Sequence, residues 1–307
     1  MRLKTGYYHL LAILIVVVWG TTYVATKELI RHGLTPQDIF LYRFTIAYIG
    51  IWLISPRRLF TAGLVDELWM AAAGFFGGSL YFYTENTALG ITQASNVAFL
   101  LCTAPLFTTF LSLAFYREDK VTKGLIYGSV LALVGVAMVV FDGNTSLKVS
   151  PAGDLLTLLA AFSWAVYSLI IRRMTGRYPI VFITRKVFFY GLVTILPLYL
   201  MQPPHDAMGE LLSDAKVWGS LLFLAVVASL GCFVLWNVVL KKLGTVRASN
   251  YIYFSPLVTL AASSVILQER MSLLAMTGAA CIMLGVYLAE KFGTDKAPGV
   301  GGRSGKE

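Results

Sequence analysis

The sequence predicts an all-α polytopic membrane protein of ten transmembrane helices, arranged as two inverted five-helix repeats, and three observations predict it. The 307 residues are 57% hydrophobic and only 13% charged, with mean hydropathy +0.73, a balance foreign to water-soluble domains. Apolar runs of roughly 20 residues, the length a bilayer core demands of a helix, recur with short polar breaks. A proline-to-glutamate module also recurs. Glu118 lies thirteen positions beyond Pro105 (118 − 105) and Glu269 thirteen beyond Pro256 (269 − 256). The copies stand 151 apart (256 − 105), as do Asn86 and Asn237 (237 − 86). An internal repeat in a membrane chain points to a site at the interface between its halves.

Taken in order, the ten apolar runs cover 8–26, 38–55, 68–88, 94–116, 122–141, 153–171, 180–201, 217–240, 246–267 and 273–290. The first begins after only Arg2 and Lys4 and continues without an Ala-x-Ala cleavage site into Trp19-Gly20-Thr21-Thr22, which predicts a retained helix and no removed signal peptide. Thr35-Pro36 opens the second and Pro56-Arg57-Arg58 closes it. Asp142-Gly143-Asn144 follows the fifth, Ser150-Pro151 precedes the sixth, and Gln202-Pro203-Pro204 follows the seventh; all are helix-end or turn chemistry. Gly74, Gly77 and Gly78 in the third run, and Gly124, Gly128 and Gly135 in the fifth, permit close backbone approach. The GxxxG spacing of Gly124 and Gly128 suits a dimer and packing inside one copy equally. The fourth and ninth runs carry Pro105 and Pro256. No break is long enough for a soluble domain. The predicted repeats are 1–141 and 153–292, joined by a linker at 142–152, with a Gly-rich charged tail at 293–307 expected to be disordered.

Charge sets the orientation. With the amino terminus inside, most of the 25 Lys and Arg residues fall on the inner side. The outer side receives only Lys27, Arg31, Lys148, Lys216 and Arg270, while Arg43, Arg185 and Lys186 stay within helices. The positive-inside rule therefore puts both termini in the cytoplasm. Five spans per half is an odd number, so the second copy crosses in the opposite sense, and Trp19 and Trp164 are expected to correspond. The net charge of +9 does not predict nucleic-acid binding, because the basic residues sit at run ends and form no single stripe. Cys102, Cys232 and Cys281 lie far apart in apolar runs, without metal-ligand spacing, and read as small packing residues.

Trp19-Gly20-Thr21-Thr22-Tyr23, Ala104-Pro105-Leu106-Phe107 leading to Arg117-Glu118, and Ser255-Pro256-Leu257 leading to Gln268-Glu269-Arg270 resemble the EamA-type branch of the drug/metabolite transporter superfamily. The resemblance spans nearly the whole chain. It implies a ten-helix, two-repeat carrier, many members exporting amino acids and related metabolites across the bacterial inner membrane.

Several residues are candidates for a site. Trp19 and Tyr23 share a face of the first helix, and Trp164 and Tyr167 one of the sixth. Asn96, Phe99 and Thr103 form a stripe on the fourth, as do Asn250, Tyr253 and Phe254 on the ninth. Trp236 and Asn237 add to them from the eighth. Each alone reads as ordinary packing or interfacial anchoring; on symmetry-related helices they fit a cavity that stacks apolar groups and hydrogen-bonds an amine or carboxylate. Glu85, beside Asn86, is an acidic residue inside a helix, suited to a substrate ammonium, a coupling proton or a pairing with Arg43. Arg43 costs at least about 2.5 kcal/mol at the bilayer centre unless offset; Arg185 and Lys186 lie nearer the cytoplasmic edge, where snorkelling is easier. Pro105 and Pro256 are expected to kink their helices and to act as hinges or gates. Glu118 and Glu269, beside arginines at run ends, read as local ion pairs and not as substrate ligands.

These features predict a secondary carrier of a small polar or amphipathic metabolite, with no cofactor and no metal, as a monomer or weak dimer. Without a Walker-type loop the energy comes from a gradient, through facilitated flow or proton exchange. The alternative, a polytopic membrane enzyme, needs convergent polar chemistry, and His9, His32 and His205 have no carboxylate at catalytic spacing.

Overall fold

The computed structural model describes residues 5–55, 59–92, 94–116, 122–140, 151–202, 214–266 and 273–292. Glu118, Glu269 and the tail 293–307 lie outside them, as do the side chains of Asn96 and Phe99. Among the described residues every regular element is helical. Helix α1 (Thr5–Arg31) ends where Gly33, at φ 94°, lets Leu34 N–H reach back to the Leu29 carbonyl, a left-handed cap that glycine adopts without a Cβ clash. Helix α2 (Pro36–Ile54) starts on a reciprocal capping box between Thr35 and Asp38, with proline at its first position, and stops at Ser55 before Pro56. Helices α3 (Leu64–Gly74) and α4 (Tyr81–Ile91) form one rod through a π-helical stretch, Phe75–Leu80.

Helices α5 (Ala94–Leu101) and α6 (Ala104–Phe115) are separated by a turn at Cys102 and Thr103; α7 (Lys123–Val140), α8 (Pro151–Met174) and α9 (Ile180–Leu200) follow. A second π-helical stretch, Phe223–Gly231, links α10 (Ala215–Leu222) to α11 (Cys232–Leu243). Gly244, at φ 86°, separates α11 from α12 (Thr245–Asn250). A 3-10 turn, Tyr251–Phe254, leads into α13 (Ser255–Ile266), and α14 (Leu273–Phe292) ends the described chain.

The repeat read from spacing is visible in helix starts. Leu64 and Ala215, Ala94 and Thr245, and Ala104 and Ser255 each stand 151 apart (215 − 64, 245 − 94, 255 − 104). The prolines depart from the kink expected of them. Pro105 and Pro256 stand in the first turns of α6 and α13, where a missing N–H has no helical partner to lose. The rods are therefore interrupted ahead of the prolines, and the interruptions meet: the Cys102 thiol lies 3.7 Å from the Ile252 carbonyl.

Among the described residues four helices are long and apolar enough to cross a membrane by length and composition: Gly6–Arg31, Pro151–Met174, Ile180–Leu200 and Ala215–Leu243. Other expected runs are shorter or interrupted helices, as 94–116 and 246–267 are at the breaks just described. Large apolar side chains such as Leu53, Phe110, Tyr127 and Leu200 stand exposed, as lipid contact permits. The main core gathers α1, α2, α4, α8, α9 and α11. Helix α7 packs along α14 through glycine. A Cβ on Gly135 would fall 2.6 Å from both the Cys281 Cβ and the Gly278 carbonyl, and one on Gly285 2.6 Å from the Gly128 carbonyl. The small residues of the fifth run are thus spent inside the monomer.

Candidate functional site

Between the halves lies a cavity with about 530 Å³ of space free of protein atoms, part of it open to the outside. Helix α1 contributes Val16, Trp19, Thr22 and Tyr23; α2 Arg43; α4 Tyr81, Phe82 and Glu85. Leu101, Ala104, Trp164, Phe233, Ile252 and Ser255 complete the lining. Trp19 and Trp164, from the middle of α1 and α8, meet edge to face with ring centroids 5.3 Å apart. Phe233 joins them at 6.0 and 5.8 Å.

The second π-helical stretch holds two lining groups. Its wide turn leaves the Ala228 carbonyl free to accept the Trp19 indole N–H at 3.0 Å, and the Ser229 hydroxyl takes the Arg43 Nε–H at 2.5 Å. Such turns open the backbone ladder and supply acceptors that a regular helix keeps to itself. The first stretch is used alike: the Phe76 carbonyl accepts the Ser163 hydroxyl at 2.7 Å. Each stretch is therefore bonded to the first helix of the opposite half.

Arg43 is 2% exposed and its guanidinium lies 4.4 Å from the centroid of Phe82, a cation–π contact that offsets part of its desolvation. Both Arg43 Nη atoms lack a protein hydrogen-bond partner among the described residues. Glu85 is 6% exposed; one carboxylate oxygen accepts the Tyr81 hydroxyl at 2.9 Å, and the other has no hydrogen-bond donor among the described residues. The two charges interact electrostatically across the cavity without a direct ion pair. The indole N–H of Trp164 is buried and also unpartnered.

Of the residues expected from sequence, Trp19, Tyr23, Glu85, Trp164 and Arg43 line this cavity, whereas Asn86, Thr103, Tyr167, Trp236, Asn237, Asn250 and Tyr253 stand outside it. Asn86 reaches toward the Pro36 carbonyl at 3.4 Å. Asn237 accepts the Tyr167 hydroxyl at 2.9 Å and donates to Thr184 at 2.9 Å, tying α8, α9 and α11 together. Trp236 backs Trp19, centroids 5.1 Å apart. Arg185 is buried and donates to the Ser55 carbonyl, just past the end of α2. Lys186 is likewise buried, ion-paired with Glu67 and bonded to the Leu59 carbonyl at 3.0 Å. Sequence reasoning missed Tyr81, Phe82, Phe233, Thr22 and Ser255 as lining residues; the Tyr81-to-Glu85 spacing, one helical turn, was the available signal for one of them.

A helical membrane protein with an amphipathic cavity between two similar halves is the class that this fold and site define. The sequence matches the EamA-like transporter family over residues 6–141 and again over 151–290, and the chain belongs to that family. It is 28% identical over 295 residues to a protein of Salmonella typhimurium strain LT2 described as a probable amino-acid metabolite efflux pump, covering 94% of this chain and 95% of that one. A protein of Escherichia coli K12 with the same description is 27% identical, over 91% of this chain and 93% of its own. A probable terminal-alkyne amino-acid exporter of Streptantibioticus cattleyicolor is 26% identical, with 95% of each chain covered. A solved crystal structure matches the fold with a TM-score of 0.69 at 20% identity, over 93% of this chain and 98% of the other. The family is described as transporter-like and these relatives as pumps or exporters; membership implies a small-molecule substrate and a membrane setting.

Proposed function

We propose that this chain is a secondary carrier in the cytoplasmic membrane of a bacterium, exporting amino acids or related amphipathic metabolites by alternating access. Ten spans form two inverted units, 1–141 and 153–292, joined at 142–152, and both termini face the cytoplasm. The observation that carries the reading is one cavity lined jointly by both halves, which holds a guanidinium, a carboxylate and two indoles. Midplane sites at repeat interfaces are how such carriers expose a solute alternately to each side. The names of the relatives support amino acids as the cargo and export as the direction. The helix breaks ahead of Pro105 and Pro256 serve as pivots, since there the two halves touch through Cys102 and Ile252. Glu85 is the only carboxylate lining the cavity among the described residues, and any proton exchange runs through it; otherwise flow is facilitated. The use of α7 glycines against α14 favours a working monomer.

Counterflow into sealed vesicles with labelled amino acids, nucleosides and polyamines tests the reading. Amino acids are expected to exchange saturably, and Trp164→Ala to raise half-saturation by about tenfold, the loss of an aromatic wall. Saturable exchange confined to nucleosides or polyamines would replace the cargo, and non-saturable flux would exclude a carrier.

A further inference from the structure

The charged groups of the cavity are not a finished ion pair. Arg43, which lines the cavity, is fixed through Nε by Ser229 and through its face by Phe82, and neither Nη group has a hydrogen-bond partner among the described residues. Glu85 is fixed through one oxygen by Tyr81, with the other free. Two buried opposite charges that stop short of contact are costly, because neither recovers its lost hydration from the other. Their unused donors and acceptor match a solute that carries a carboxylate and an ammonium on neighbouring atoms. A guanidinium presents paired donors to a carboxylate, and a carboxylate oxygen accepts from an ammonium. Beside them stand Trp19, Trp164 and Phe233, with the Trp164 N–H unpartnered.

We infer that Arg43 and Glu85 form a zwitterion clamp, in which Arg43 holds the carboxylate and Glu85 the ammonium of an amino acid whose flat or branched apolar side chain rests on the indoles. The clamp rests on the carrier reading and adds to it a rule: each charge of the cargo is checked separately, so a solute lacking either is refused. An amine or an acid of the same shape would leave one buried charge of the protein uncompensated, and specificity of this kind comes from the unpaired group left behind.

The test uses the full chain in liposomes, with labelled L-phenylalanine in counterflow and phenethylamine or 3-phenylpropanoate as competitors. The wild type is expected to be inhibited by neither analogue. Glu85→Gln should weaken phenylalanine exchange by about tenfold or more, the loss of one charge-assisted hydrogen bond, and admit 3-phenylpropanoate. Arg43→Gln should do the reverse and admit phenethylamine. Because removing one buried charge can prevent folding, Arg43→Lys and the neutral double variant R43Q/E85Q accompany them, each checked by its thermal transition in detergent. Arg43→Lys keeps the charge but not the paired donors, and should weaken phenylalanine without admitting the amine. Folded variants that keep wild-type half-saturation and ranking would overturn the clamp alone. Absence of saturable exchange for every solute would overturn the carrier reading, and the clamp with it.

Discussion

At the scale of single residues, buried polar groups divide by whether their partners are already in the protein. Asn237 satisfies both ends of its amide with Tyr167 and Thr184, so it holds helices together and has little left for a solute. Asn237→Leu is expected to lower stability by about 1–3 kcal/mol, since two buried hydroxyls lose their partner, while half-saturation for exchanged solute stays within twofold. Unfolding in detergent and counterflow read the two quantities, and a shifted half-saturation without lost stability would assign Asn237 to the cavity instead. The same division explains what was legible in the sequence. Arg43 and Glu85 announced themselves because charges in apolar runs must face the bundle interior. Asn237 carried the same signal, yet its need is met locally, and no spacing distinguishes the two outcomes. Phe82 and Phe233 were invisible for the opposite reason: an aromatic ring in an apolar run reads alike whether it faces lipid, core or cavity.

Between elements, the backbones of α7 and α14 approach so closely that side chains are excluded from their seam. Gly135→Ala puts a methyl 2.6 Å from backbone and side-chain atoms of α14, and the expected cost is about 1–3 kcal/mol of stability from overpacking. Gly219→Ala in α10 meets nothing within 4 Å and should leave stability unchanged or raise it through helix propensity. Equal effects of the two, measured by denaturation in the same detergent, would contradict the seam. Rod boundaries were legible because Thr35, Pro36 and Pro151 are chemistry that begins helices. The interior breaks were not. Pro105 and Pro256 marked their neighbourhood, but proline is tolerated both as a kink and in a first turn. The π-helical stretches have no residue signature, since an extra residue in a turn is accommodated by tertiary contacts such as Trp19 to Ala228.

For the whole molecule, opposite orientation of the two units is a prediction about sidedness. Lys4→Cys and Ser304→Cys should both react with an impermeant maleimide only after cells are opened, the native Cys102 and Cys232 being buried. Labelling of one end from outside would break the inverted arrangement. The paired wide turns also bear on how the chain arose. Phe75–Leu80 and Phe223–Gly231 occupy matching stretches of rods whose starts lie 151 apart (215 − 64), and both halves match the same family. A doubled gene accounts for two halves that match one family, and the wide turns fall at equivalent places in both copies.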